Sequence, residues 1–504
     1  MRVAAGASMR QVRESFLHFQ CFGNHAMRMT RRDFLSASAA FATGIGIGRA
    51  RTAPLPREAD VVVIGAGAAG IAAARRIQAA NRKVIMIEAA DRIGGRCHTD
   101  MKTFGTPFDR GARWLYDPDT NPMAGLARSA GTGVFAAPPG QKIRIGRRNA
   151  RAGETEQFLA ALVRAKRAIG EAAHGRTDVA CASVLPGDLD VWTGTIDFVL
   201  GAGATGKDLK DLSAMDRARA AERNAAIGCK QGLGALLAAL GQSLPTSLLT
   251  PASRVSWAGR DIGVETPAGR ISARAVIVTV STNVLTSGNI RFTPELPKRQ
   301  LDAAARLSLG SYDRVALWLP DNPLGLGRNE TMIEQSSDGK TALLAANASG
   351  SSLCTIDVAG SFGRDLSAQG EGAMVAFATE WLAKLFGSDA AAAVKRSAAT
   401  RWNAAPHVLG AMSAAEPGGQ PSRKVLMEPL GSLFLAGEAA HETLWGTVGG
   451  AWESGERAAD AALRKVGATK EPAQPSASTR KPSRHHRRAP SRRSQDAYGF
   501  PLPR

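Results

Sequence analysis

The sequence has few cysteines, and they are poorly placed for chemistry. Cys21, Cys97, Cys181, Cys229 and Cys354 are the five it holds, scattered without CxxC or Cys/His spacing. That scatter excludes a disulfide framework and a zinc site, and it gives a thiol nucleophile no visible support. No apolar run is long enough to cross a bilayer as a stable helix, and there is no internal repeat. No Ser/His/Asp triad, paired acid or metal cluster stands out, and His485 and His486 lack other ligands nearby. The chemistry of this chain has to come from something it binds.

The formal net charge of +20 is concentrated at the ends. Residues 464–504 contribute +9 and residues 1–60 contribute +5, which leaves about +6 for the middle. The basicity is therefore a property of the tails, and it does not point to nucleic acid as a partner. From Gly467 onward Pro, Ser, Lys and Arg dominate, including Arg484-His485-His486-Arg487-Arg488. So little apolar content predicts a disordered tail over 467–504. It is either simply solvated or in weak contact with an anionic lipid or envelope surface.

Near the other end, Thr30-Arg31-Arg32-Asp33-Phe34-Leu35 is a twin-arginine pattern. A weakly apolar stretch to Gly48 follows, then small residues at 50–53. This resembles a Tat export signal, which makes 1–53 an N-terminal extension and address and predicts a periplasmic or secreted protein. That route moves folded proteins, which suits an enzyme that loads a cofactor before crossing. Met27 and Met29 offer alternative starts just upstream of the pair.

Folded structure is expected from about Glu58. Asp60-Val61-Val62-Val63-Ile64 is a β-branched run of the kind that forms a buried parallel strand. It leads into Gly65-Ala66-Gly67-Ala68-Ala69-Gly70 and a helical stretch to about Ala80. Gly65 permits the tight turn, Gly67 lets the backbone approach a pyrophosphate, and Gly70 lets the helix pack on the strand. Ala69 lies in the same phosphate-facing turn, where free N–H groups and the helix dipole favour an anion. A second strand, Lys83-Val84-Ile85-Met86-Ile87, ends in Glu88, where an acid binds ribose hydroxyls and would repel the 2′-phosphate of NADP. The glycine pattern alone is weak. Its position between two strands, with the acid following, makes it specific.

Glu88 also opens Glu-x3-Arg-Ile-Gly-Gly-Arg, with Arg92, Gly94, Gly95 and Arg96. Downstream come Phe108-Asp109-Arg110-Gly111-Ala112-Arg113-Trp114-Leu115, then Leu433-Phe434-Leu435-Ala436-Gly437-Glu438, then Gly446-Thr447-Val448-Gly449-Gly450-Ala451. Together these segments resemble the flavin-containing amine oxidase superfamily, which includes monoamine and polyamine oxidases, bacterial nicotine oxidases and flavin-dependent histone demethylases. The resemblance runs from Glu58 to Val466, specific at its ends and loose in its middle. It implies an α/β fold, a Rossmann-like FAD-binding domain with an interleaved α+β substrate domain. The FAD-binding pieces would be 58–125, 229–290 and 425–466, and the substrate pieces 126–228 and 291–424.

The resemblance also assigns roles. Arg96 would pair with pyrophosphate, Trp114 would stand in the segment beside the flavin ring, and Ala252 would touch adenine. Glu438 would bind the ribityl chain, with Val448 a further FAD contact. Ala411 stands where monoamine oxidases tether FAD through cysteine, so the FAD here should be noncovalent. Three positions depart from the family. Its water-holding lysine near flavin N5 falls on Thr286, and its two substrate-flanking aromatic rings fall on Met412 and Thr447. Trp402 and Trp445 could supply other aromatic walls, and Lys102, Arg113 and Arg291 are unplaced cations. His441 reads as a packing or hydrogen-bonding residue near Glu438.

The implied function is oxidation of a small-molecule amine to an imine, hydrolysed to a carbonyl product. Electrons would pass to oxygen or to a respiratory cytochrome or quinone, and loss of the lysine charge at Thr286 favours the respiratory carrier. Two other readings stay open: an FAD-dependent desaturase of carbon–carbon bonds, and a noncatalytic FAD-binding envelope protein.

Overall fold

The computed structural model describes residues 56–223 and 225–467. The twin-arginine segment and the basic tail lie outside the described residues. Strand β1 (Glu58–Ile64) leads into helix α1 (Ala68–Ala79) and strand β2 (Val84–Ile87). β1 pairs in parallel with β2 on one side and with β3 (Gly269–Val278) on the other. The β-branched run of β1 is buried on both faces. Val61 and Val63 enter one hydrophobic core, and Val62 and Ile64 enter the core behind it, as the two-residue period of a strand requires.

The second sheet is built around β4 (Tyr312–Trp318) and β5 (Leu353–Ala359), which run antiparallel. The chain then returns to the first sheet as β6 (Leu433–Leu435), parallel to β3. It closes with helix α2 (Val448–Val466), which lies along α1. The first sheet has eight strands. Thr246–Ser247, β2, β1, β3, Ile262–Thr266, Arg254–Ser256 and Arg291–Thr293 follow in that order, with β6 joining at β3. The second has seven: Arg396–Ala399, β4, β5, Leu343–Ala345, Thr331–Glu334, Lys142–Ile145 and Arg148–Asn149.

All strands of the second sheet come from 126–228 and 291–424. One strand crosses the expected division. Arg291–Thr293 forms the edge of the first sheet, where Phe292 packs against its core, so the boundary falls a few residues later than the sequence suggests. Among the described residues no helix is long and apolar enough to cross a membrane.

The two helices over β1 meet closely because Gly455 of α2 has no side chain. A Cβ there would stand 2.1 Å from the Ala69 carbonyl oxygen. Gly455→Val should therefore force the phosphate-facing end of α1 to move, at a cost of about 1–3 kcal/mol. The expected result in a thermal melt is a lower Tm, and a variant that melts with the parent would show that the helix contact is slack.

Candidate cofactor site and active site

At the dinucleotide end the backbone itself forms the cradle. Gly65 has φ +103°, and its N–H donates to the Ile87 carbonyl at 2.8 Å. A Cβ at Gly70 would lie 1.9 Å from the Gly65 oxygen, so only glycine lets α1 start so close to β1. α1 begins at Gly67 with no side-chain cap and no acid in its first turn, so its leading N–H groups stay available to an anion. Ala69 is buried in that turn. Gly95 faces Gly67 across the cradle, and a Cβ on it would come within 3.2 Å of the Gly67 Cα.

Glu88 closes this end. Its two carboxylate oxygens accept from the N–H groups of Ala66 (2.7 Å) and Ala90 (2.8 Å). Its carbonyl accepts from Thr250 N–H at 2.7 Å, which draws residues 248–252, including buried Ala252, alongside. The bare cradle, the uncapped helix and the oriented acid fit the phosphates and adenosine of a dinucleotide.

At the other end Glu438, buried after β6, is held by four donors. Arg96 Nη1 reaches Oε1 at 2.8 Å and Ser413 N–H reaches it at 3.0 Å. The Ser413 hydroxyl and Gly446 N–H reach Oε2 at 2.6 and 2.8 Å. Burial pushes the carboxyl pKa up, but Arg96 and Ser413 outweigh it and hold it below the ordinary glutamate range. Arg96 also donates to the Ala411 carbonyl at 2.6 Å. Behind Ser413 lies a pair that nothing in the sequence announces. Arg423 and Asp216, both 0% exposed, bond through two nitrogens at 2.6 and 2.7 Å, and Arg423 also donates to the Ala439 carbonyl.

The strip that follows Arg96 in space is Gly111–Trp114. Ala112 N–H donates to the Arg96 carbonyl, and a Cβ on Gly111 would meet Trp402 at 3.1 Å. Trp402 Nε1 donates to the Arg110 carbonyl, so Trp402 does stand against the predicted flavin-facing segment. Trp114 makes an edge contact with Phe135, their centroids 5.8 Å apart. Val448 opens α2, buried, and Thr447 caps that helix: its hydroxyl accepts from Gly450 N–H and donates to the Leu444 carbonyl. Met412 lies against Gly446, its sulfur 3.7 Å from where a Cβ there would be.

Trp445 is no aromatic wall. It is 1% exposed, with the guanidiniums of Arg423 and Arg223 at 4.5 and 5.6 Å from its ring. His441 bonds Glu453 and accepts from Leu444 N–H, as expected of a structural histidine. The four described cysteines are buried, with burial pushing the Cys97 thiol up to about 12. Among the described residues no group of His, Cys, Asp or Glu could hold a metal.

Thr286 is not brought to the site. It ends the short helix Thr282–Thr286 on an exposed turn, and its hydroxyl bonds back to the carbonyls of Thr282 and Asn283. Ser281, Thr282 and Leu285 of that turn line the small cleft beside Glu438, and Thr286 does not. The fixed cation beside the Gly-Ala strip is Arg314 on β4. It donates to the carbonyls of Asp109 and Gly111 and is held by Asp357, its register partner on β5, at 2.7 and 2.9 Å.

Comparison with known proteins agrees with this geometry. The family described as flavin containing amine oxidoreductase matches residues 68–164 and 178–463. The chain is 27% identical over 449 residues to probable polyamine oxidase 4 of Arabidopsis thaliana, covering 80% of this chain and 86% of that protein. It is 24% identical over 445 residues to human lysine-specific histone demethylase 2, covering 79% of this chain and 52% of that one. Among solved structures, cyclohexylamine oxidase from Brevibacterium oxydans IH-35A superposes with a TM-score of 0.69 at 20% identity, over 82% of this chain and 100% of that one. A putrescine oxidase with bound putrescine also gives 0.69, at 19% identity over 81% and 99%.

Glu438→Gln should weaken FAD binding roughly 10- to 100-fold, since it removes charge from hydrogen bonds worth about 1.5–3 kcal/mol. Because the folded pKa of Glu438 is depressed, its contribution is complete above the ordinary glutamate range and is lost as pH falls through the folded value. FAD release on acidification, followed by flavin fluorescence, should lose part of its pH dependence in the variant. An unchanged acid limb would assign that release to other groups.

Proposed function

The chain belongs to the flavin-containing amine oxidoreductase family, and we propose that it oxidises a small-molecule amine to an imine that water then hydrolyses to a carbonyl product. It is an FAD-dependent enzyme, and when bound FAD accepts the two electrons. The observation that carries the reading is the convergence of the glycine cradle, the Glu88 end and the Arg96–Glu438 clamp on one dinucleotide-shaped track. The polypeptide positions, shields and polarises. Trp402 and the Gly111 strip form one wall of the reaction space, and α2 with Gly446 forms another. Arg314 adds a fixed positive charge beside the strip, where charge developing during electron transfer would be stabilised in a water-poor site.

That placement bears on the electron acceptor. A weak reaction with oxygen was expected from Thr286, but Thr286 does not face the site and Arg314 supplies a cation there. Oxygen therefore stands beside a respiratory cytochrome or quinone as acceptor. The Arg31-Arg32 pattern supports export by the twin-arginine route, with oxidation taking place in the periplasm or outside the cell.

Purified enzyme mixed anaerobically with a panel of amines should lose its flavin absorbance near 450 nm, a wavelength typical of flavoproteins in general (about 450 nm). Acid precipitation should then release the flavin into the supernatant, as Ala411 implies. Bleaching by no amine would defeat the proposed reaction, and flavin retained in the pellet would defeat noncovalent binding.

A further inference from the structure

The walls of the reaction space carry more positive charge than their own acids balance. Arg314 is answered by Asp357, whose Oδ2 also accepts from Tyr312. Asp109 is engaged by the Thr99 hydroxyl and Leu233 N–H. Arg113, on the flavin-facing strip, has neither acid. Its guanidinium lies 4.9 Å over the Trp114 ring, and its Nε is sealed from solvent with no hydrogen-bond partner among the described residues. Burial and then the neighbouring Arg314 cation hold its pKa below the ordinary arginine value, as for a charge awaiting a counter-ion. Arg223 is similar. It bridges Tyr116 at the end of the strip and Trp445 before Gly446, 5.3 and 5.6 Å from their rings. Its nitrogens reach only the carbonyls of Ala204 and Trp445, and it forms no ion pair among the described residues.

We propose that the amine oxidised here also bears a carboxylate, and that Arg113 is the specificity residue that receives it, with Arg223 as a second cation on the facing wall. This rests on the amine-oxidation reading and names its substrate class. A guanidinium fork matches a carboxylate in two parallel hydrogen bonds, which would also satisfy the sealed Nε. A di- or polyamine would instead bring a second ammonium against two arginines and be repelled. In the reaction, the C–H bond beside the neutral amine breaks and its hydrogen leaves with both electrons. That hydrogen, the two electrons and the amine proton end on reduced FAD as the C=N bond forms. Water releases ammonia and a carbonyl acid, and oxygen or a respiratory carrier reoxidises the flavin.

The test uses FAD-loaded enzyme and two readouts. Phenylacetate and acetate, which cannot be oxidised, are titrated while the flavin spectrum is followed. Matched pairs of amino acids and the amines left on removing their carboxylate, with spermidine alongside, are compared for anaerobic flavin reduction. The expected results are saturable spectral shifts with carboxylates and reduction favouring the carboxylate-bearing member of each pair. Arg113→Met should weaken carboxylate binding and raise KM roughly 10- to 100-fold with a smaller change in kcat, and Arg113→Lys should regain part of it. Preference for bare amines or spermidine would overturn the proposal, as would carboxylate binding untouched in Arg113→Met. Loss of FAD from that variant would place the arginine against the cofactor and overturn it equally. If no amine of any kind reduces the flavin, the amine reading fails, while the carboxylate titration still decides the role of Arg113.

Discussion

A carboxylate buried as deeply as Glu438 must be answered by donors on every side, because an ionised acid left without them in a protein interior would cost several kcal/mol. Its donors come from segments that have little else to hold them together. Arg96 belongs to the first βαβ unit, Ser413 to the end of the interleaved portion, and Gly446 to the turn before α2. Satisfying one charge thus fixes both halves of the cofactor track relative to each other. The Asp216–Arg423 pair extends the arrangement, since Arg423 bonds the Ala439 carbonyl immediately after Glu438.

The same logic appears on the other wall. Arg314 and Asp357 face each other because β4 and β5 are in register, and Arg314 reaches from that pair to the carbonyls of the Gly111 strip. The second sheet therefore does more than enclose substrate. It delivers a fixed cation to the strip that follows Arg96 in space, so the two charge clusters, each balanced internally, flank the reaction space. Arg113 and Arg223 are the charges left over.

The dinucleotide end was legible in the sequence because it is written contiguously. Strand, glycine turn, helix, strand and Glu88 follow one another, each with a local steric reason. Glu438 was legible for a related reason, as the acid that ends a short apolar strand. The partners of these residues were not. Asp216 and Arg423 lie 207 residues apart, and neither stands in a pattern that distinguishes it from a surface charge. Arg314 and Asp357 sit inside strands whose register is set only by pairing. Thr286 shows the limit of matching positions along a chain. A threonine at the end of a helical turn can bond its own i−4 carbonyl and face outward, and no residue identity reveals which way the turn is rotated. Met412 and Thr447 did arrive beside Gly446, but Thr447 serves as a helix cap, a role its place before Val448 made available.

The central claim is that Arg96 and Glu438 act as one unit in holding FAD. A double-mutant cycle on FAD affinity, with Arg96→Met, Glu438→Gln and the pair combined, measures this directly. The account predicts strong non-additivity, the double variant binding FAD little worse than the weaker of the two single variants. Effects that simply add would show that the two residues contact the cofactor independently and that the clamp does not organise the site.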